Sequence, residues 1–263
     1  MKENKSLSAW RRGEQTVGCW LSLANAHTAE SISKLGFDWV CADMQHGLID
    51  YADLTYMLPA ISNGPATPIV RVPWNEPSVI MKALDAGAYG VIVPMVNNRA
   101  EAEAAVAACR YPPDGSRSFG PIRAALDAGK GYAVEANDQI ACIVMIETQQ
   151  GVENVAEIAA TPGVDGIYIG PADLALSMGL PVTSDQPQAE HLEAVKRIAD
   201  ITWKAGKAIG IHTSSLEYTE KYLALGFNFV TLRSENGHMV ANASRELAQA
   251  RGSVEQTRES TGY

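Results

Sequence analysis

Four cysteines in 263 residues (Cys19, Cys41, Cys109, Cys142) form no CxxC pair, which leaves no cysteine zinc motif and no dithiol redox motif. Three of them fall inside predicted strands, as expected for buried free thiols in a reducing compartment. No apolar run approaches the roughly 20 residues that a membrane span requires. The segment from Met1 to Gly13 is polar and charged and lacks the apolar core of a secretory signal, so a cytoplasmic location is expected. Basic clusters are missing too. With 21 Lys and Arg against 30 Asp and Glu, the formal net charge is −9, which argues against nucleic acid or an acidic membrane as partner. There is no GxSxG elbow, no HExxH, no GxxxxGK(S/T) and no strand-linked GxGxxG. The last strands carry no glycine-rich phosphate cradle, so a phosphorylated substrate is not expected.

What is present is a repeat. At 46% hydrophobic content and this length, the chain suits one (β/α)8 barrel or two smaller domains. Short apolar runs predict strands at 17–21, 39–43, 68–72, 90–94, 140–146, 164–169, 208–212 and 229–232. Helix-period segments alternate with them at 26–35, 51–61, 77–86, 99–109, 152–160, 190–205, 216–225 and 239–250. Eight strands, each followed by a helix, predict an α/β fold of the TIM-barrel type. Gly36, Gly87, Gly206 and Gly226 stand where helices end, which is C-cap chemistry. No break in composition marks a domain boundary, so residues 1–263 are expected to form one barrel domain with a polar tail from about residue 252. A connection of about 30 residues, YPPDGSRSFGPIRAALDAGKGYAVEAND, separates the fourth helix from the fifth strand. It predicts a turn at Pro112 to Gly115, two short helices (123–128 and 132–137), and a lid at Ser118-Phe119-Gly120-Pro121 with Arg117 paired locally.

The chemistry is sought where strands give way to loops, because those ends gather at one rim of a parallel barrel. Glu147 and Asp173 each follow a strand. Two carboxylates side by side repel unless one is protonated or a cation neutralises both, and oxygen ligands suit Mg²⁺ or Mn²⁺. Alternatively both cap the helices that follow them. Asp43 and His46 make a D-x-x-H pair after the second strand: a carboxylate-oriented base, or a loop histidine bonded to backbone. Arg71, near the end of the third strand, either points into the barrel mouth and needs an anion, or faces outward to a helix. Trp20 either walls a pocket or simply packs. Pro94 to Asn97, Thr213 and Ser214 offer polar atoms without a specific role, and Asp85 falls in the third helix.

Taken in order, DMQH, VRV, PMV, RYPPDGSRSFGP, MIET and VDGIYIGPADLALSMG resemble the class II pyruvate aldolases of the HpcH/HpaI family. The match runs from about Val17 to Ala250, and GPADL with the upstream IET is its most specific part. The resemblance implies a barrel whose eighth helix is swapped onto a neighbour, commonly in hexamers built as trimers of dimers. It implies Glu147 and Asp173 as ligands of a divalent metal (Mg²⁺, Mn²⁺ or Co²⁺), Arg71 as the group that binds and stabilises a pyruvate enolate, and His46 with Asp43 as a base dyad acting through water. Backbone amides of the Gly170-Pro171-Ala172-Asp173 turn would hold the substrate carboxylate, with Trp20 beside it. The implied reaction is reversible cleavage of a 4-hydroxy-2-oxo acid to pyruvate or hydroxypyruvate and an aldehyde. An acyl-CoA carbon–carbon lyase and a silent 2-oxo acid-binding barrel are the rival readings. Many members carry Glu and Gln where this chain has Gln45 and Met145.

Overall fold

A computed structural model describes residues 1–261, with side chains to residue 252. The first half runs α1 (Lys5–Arg11), β1 (Thr16–Leu21), α2 (Ala26–Ser33), β2 (Trp39–Asp43), α3 (Tyr51–Ser62), β3 (Thr67–Arg71), α4 (Pro77–Asp85), β4 (Gly90–Val93) and α5 (Arg99–Cys109). After α6 (Ile122–Ala128) and α7 (Tyr132–Gln139) come β5 (Ala141–Ile146), α8 (Gln149–Glu153), α9 (Val155–Ala159), β6 (Gly166–Ile169) and α10 (Pro171–Ser177). The chain continues with α11 (Ala189–Lys204), β7 (Ala208–Ile211), α12 (Leu216–Ala224), β8 (Phe229–Ser234) and α13 (Glu235–Thr261). All eight strands are parallel to their neighbours, lie in sequence order, and close β8 onto β1. This is a (β/α)8 barrel.

Strands covered on both faces need apolar residues at nearly every position, and these have them. One alternating set (Val40, Ala42, Val70, Val91, Val144, Ile167, Ile209) faces the helix ring. The other set (Cys41, Ile69, Ile92, Ile143, Tyr168, Phe229) fills the barrel with Trp20 and Trp39, and α1 plugs the bottom with Leu7 and Trp10. The rings meet closely, Trp10 and Trp39 each lying 4.4 Å from Phe229. Glycine makes the room: a Cβ on Gly18 would stand 2.0 Å from the Trp39 indole.

The expected cap glycines at 36, 87, 206 and 226 all have positive φ, and all four cysteines are buried and free. Three elements differ from expectation. The helix predicted at 152–160 is two short pieces meeting at Asn154. The helix α10 was not predicted: seven residues starting on Pro171 are too short to display a period. The last helix was expected at 239–250 but spans Glu235–Thr261, so the described backbone stays helical where a polar tail was expected. Helix formers such as Arg245, Glu246 and Ala250 carry it without an apolar stripe. Residues 262–263 lie outside the described part. The long connection holds α6 and α7 as expected. Arg117 is pinned to Asp85 at 2.6 Å and to the Tyr132 hydroxyl at 2.9 Å.

Because the barrel interior has no slack beside Trp39, Gly18→Ala is expected to destabilise the fold by about 1–3 kcal/mol. Urea unfolding followed by tryptophan fluorescence measures this. An unchanged midpoint would show that the indole can swing aside.

Candidate active site

The two-residue alternation decides what faces the barrel mouth. Asp43 stands two residues after Cys41, Arg71 two after Ile69, Glu147 two after Met145, Gly170 two after Tyr168 and His212 two after Gly210. Four of those earlier residues belong to the interior cluster, so the next residue of the same parity forms a polar layer above it. Arg71, Glu147, Gly170 and His212 line a cavity of about 160 Å³ with His46, Asp173 and Ser184. A larger hollow of about 330 Å³ lies beside α1, at the start of β3, where Lys2 and Asp127 pair at 2.9 Å. No residue from 118 to 121 lines the rim cavity, so the expected lid is not built within this chain.

Asp43 and Arg71 are direct partners in the β2–β3 register. The Arg71 guanidinium donates to both carboxylate oxygens, Nε at 2.8 Å and a terminal nitrogen at 2.5 Å. Arg71 therefore points inward, and the outward alternative falls. Burial alone would push the Asp43 carboxyl up, but Arg71 more than offsets this and holds it below the usual range. Asp43 also accepts from the backbone N–H of Gln45 (3.0 Å) and His46 (3.4 Å), and the Trp20 indole beside it helps to hold the carboxyl low. No direct hydrogen bond joins Asp43 to the His46 ring among the described residues, and the carboxylate is held by Arg71, so the expected dyad has only its water-mediated form left. His46 itself is exposed at the mouth of the cavity. The expected place of Trp20 is corrected. It does not line the cavity but lies buried beneath it, with the Arg71 guanidinium 5.0 Å over its ring and Tyr168 stacked at 5.5 Å.

Glu147 is 2% exposed. Burial pushes its carboxyl up to about 7, and the charge of Asp173 adds to that, while the Met95 N–H and Arg71 pull it down. The Met95 amide donates to Glu147 at 2.8 Å. It can do so because Met95 adopts φ 57°, a left-handed conformation unusual for a side-chain-bearing residue. Asn97 holds this turn by donating to the Met95 carbonyl at 2.8 Å, which gives the PMVN segment the role its sequence did not reveal. Gly170 must be glycine, since a Cβ there would stand 2.2 Å from the Glu147 carboxylate. Its N–H is already used, donating to Ile146 at 3.3 Å. The turn's free amides are therefore those of Ala172 and Asp173, in the first turn of α10. Asp173 is the first-turn acid of that helix, so the helix-end reading and the metal reading coincide there. His191, unremarked in the sequence, fixes the turn from behind through its Nε2, 3.0 Å from the Pro171 carbonyl.

A buried carboxylate with a raised pKa beside a second carboxylate is an oxygen-donor pair that lacks a counter-charge. It fits a hard divalent cation. Among the described residues no cluster of three or more His, Cys, Asp or Glu side chains converges. His212, Ser184 and Tyr168 are cavity residues that sequence reading missed, and His212 is the one with a legible signal. The available signal was its parity with Gly210, the same argument that turns Asp43 inward.

Residues 16–243 match the family model described as HpcH/HpaI aldolase/citrate lyase. The chain belongs to that family. It is 42% identical over 248 residues to a hydroxypyruvate/pyruvate aldolase of Rhizorhabdus wittichii, covering 94% of this chain and 99% of the relative. It is 39% identical to a 2-dehydro-3,6-dideoxy-6-sulfogluconate aldolase of Pseudomonas putida, covering 92% and 95%. Among solved structures, a HpcH/HpaI aldolase/citrate lyase family protein from Burkholderia cenocepacia superposes with a TM-score of 0.89 at 34% identity, covering 94% of this chain and 99% of that one. In this HpcH/HpaI chain the polar layer sits at the C-terminal rim, where barrel enzymes place their chemistry.

The raised Glu147 pKa makes a signed prediction about stability. A carboxyl near 7 when folded, against its ordinary 4.5, contributes fully below the lower value and loses that contribution as pH rises through 7. The loss is of order 3 kcal/mol at most, at about 1.4 kcal/mol per pH unit. With chelator present, Glu147→Gln should therefore be more stable than the parent at pH 8 and converge with it toward pH 5. Urea titrations at both values check this; a variant weaker than the parent at pH 8 would remove the burial cost assigned to Glu147.

Proposed function

We propose that the protein is a divalent-metal-dependent aldolase that reversibly cleaves 4-hydroxy-2-oxo acids to pyruvate or hydroxypyruvate and an aldehyde. The observation that carries this is one inward layer in which a paired arginine, two carboxylates lacking a counter-charge and an exposed imidazole share a single cavity. The named activity of the Rhizorhabdus relative, 42% identical over nearly its whole length, supports the same reaction.

Glu147 and Asp173 would hold the divalent ion, which supplies Lewis-acid stabilisation of the negative charge that develops on the 2-oxo acid. Arg71 is held in one orientation by Asp43 and turns its remaining N–H groups to the same charge, at no cost of reorganisation. The Ala172 and Asp173 amides are left for the substrate carboxylate. In cleavage His46 takes the C4 hydroxyl proton, the carbonyl forms, and the C3–C4 bond breaks with its electron pair leaving as the enolate. The enolate then takes a proton at C3 to give the methyl group. In synthesis His46 removes that methyl proton.

The assembly reading follows from α13. Every residue from 239 to 251 is exposed, Met239, Val240 and Leu247 among them at more than half of their surface. A second copy of the chain is the occupant that the family resemblance implies for that face, and a hexamer is the assembly it implies.

Arg71→Lys should lower both cleavage and pyruvate methyl exchange in deuterated water by about 10²-fold or more, because a point charge cannot replace the planar fork on Asp43. A change confined to the apparent affinity for the aldehyde would make Arg71 an acceptor residue instead.

A Schiff-base route needs a lysine in the cavity, and none lines it. Borohydride with pyruvate should leave no adduct detectable by mass spectrometry, and a chelator should remove activity that Mg²⁺, Mn²⁺ or Co²⁺ restores. A pyruvyl-lysine adduct with chelator-resistant turnover would overturn the mechanism. A silent binder would show no methyl exchange at all.

A further inference from the structure

We infer that His212, with Ser184 beside it, forms the acceptor end of the cavity and selects an uncharged aldehyde bearing a hydroxyl group. The inference rests on the aldolase reading and asks more of the same site.

His212 follows β7 directly and by parity faces inward, and its backbone N–H donates to Ile169 at 3.2 Å. Its ring lines the cavity, and neither ring nitrogen has a hydrogen-bond partner among the described residues. Packing fixes the ring plane: it meets the Trp20 indole edge-on, with centroids 5.0 Å apart at 84°. The same indole carries the Arg71 guanidinium at 5.0 Å. A ring held this way offers its nitrogens to the cavity in a set direction.

The other polar side chains of the cavity are accounted for, Tyr168 by the bond of its hydroxyl to Thr231. Arg71, Glu147 and Asp173 serve the 2-oxo acid and His46 moves the proton, which leaves His212 and Ser184 for the aldehyde's substituents. These two are tied together. Asp185, next to Ser184, accepts from the Ser214 N–H at 2.9 Å, two residues beyond His212, and Gln186 closes the turn on the Pro181 carbonyl at 2.8 Å.

The cavity's geometry decides the ligand class: its one lining Lys or Arg side chain, Arg71, is already bound through two hydrogen bonds to Asp43. Burial, with Arg71 adding to it, pushes His212 down to about 4 against the weaker pull of Asp43 and Asp185, so the imidazole is neutral at physiological pH. A neutral imidazole has one donor and one acceptor, as a hydroxyl has. It gives no counter-charge to a terminal carboxylate or phosphate, and Arg71 is the one fixed cation among the cavity-lining residues.

The test compares kcat/KM for glycolaldehyde, acetaldehyde and glyoxylate as acceptors with pyruvate and metal. His212→Phe keeps a flat ring against Trp20 but removes both nitrogens. It should lower the glycolaldehyde-to-acetaldehyde ratio by about 10-fold or more, since an unpaired hydroxyl costs a hydrogen-bonding pocket its discrimination. His212→Asn, which restores a donor and an acceptor, should return the ratio to within about threefold of the parent. His212→Arg should shift preference toward glyoxylate. Ser184→Ala, on a half-buried turn, should lower the same ratio and carries the comparison if His212→Phe does not fold. An unchanged ratio in His212→Phe or Ser184→Ala, or an Asn variant that falls with the Phe variant, overturns the inference. Methyl exchange of pyruvate by the parent enzyme separates the two levels. Its absence sinks the aldolase reading, whereas exchange with unaltered acceptor ratios sinks only the role of His212.

Discussion

Asp43 and Arg71 end neighbouring strands, stand opposite each other in register, and share two hydrogen bonds of 2.8 and 2.5 Å in the mouth of the barrel. Neither could be placed there alone. An unpaired guanidinium or carboxylate at that depth would cost several kcal/mol, and removing one partner of such a pair typically costs about 3–5 kcal/mol. The pair makes it possible to keep a cation within the field of Glu147 at all. It also explains why Asp43 is not available to orient His46 directly: its oxygens are occupied by the arginine and by the loop backbone behind it. His46, to which the proposed mechanism gives the proton transfer, lies at the exposed lip, where solvent can exchange with it. The charge-stabilising groups lie below, where the dielectric is low and their effect is largest.

Glu147 shows the opposite balance. Its burial disfavours the charged form that a metal needs, and the structure answers with directed local contacts instead of a salt bridge. The Met95 amide is turned onto it by a left-handed residue, Asn97 holds that turn, and Gly170 leaves room for the second oxygen. Backbone strain and a raised pKa are both destabilising in isolation. Their meeting on one carboxylate is what a site arranged for a ligand looks like, since stability is given up where function needs a poised group.

Much of this was legible beforehand. Eight apolar runs, the glycines closing the helices, and GPADL after a buried strand all read correctly, because each is a local signal with a local cause. Arg71 and His212 were equally legible in principle. Counting in twos from Ile69 and Gly210 turns both inward, but the strand boundaries had to be known to within a residue before the count could be trusted. Other features lay outside any local signal. The handedness at Met95 and the support of His191 beneath Pro171 arise from tertiary contacts made by residues 52 and 20 positions away. The short α10 has no period to read. The pairing of Asp43 with Arg71 was hidden for a related reason: the D-x-x-H spacing points to His46 but does not reveal a partner from the next strand.

The site is built by two different means, and this bears on how such a barrel can vary. The half assigned to the 2-oxo acid comes from strand ends and one helix start, all in the layer directly above the aromatic core, where a shift of a few tenths of an ångström would disturb Trp20, Tyr168 and Phe229 together. The half assigned to the aldehyde comes from one residue beyond β7 and from the connection between α10 and α11, which is anchored by Met178 against the core and by the Asp185 contact with Ser214. Its exposed residues, such as Pro181, Val182 and Thr183, are not part of the packed layer. A rigid donor half beside an adjustable acceptor half lets a barrel keep its enolate chemistry while its aldehyde changes. On that division, Met145 sits with the packed half by position but adds an apolar surface to it, because its side chain lines the cavity with a thioether. It makes the floor apolar where a polar group would compete with Arg71 for the substrate's oxygens.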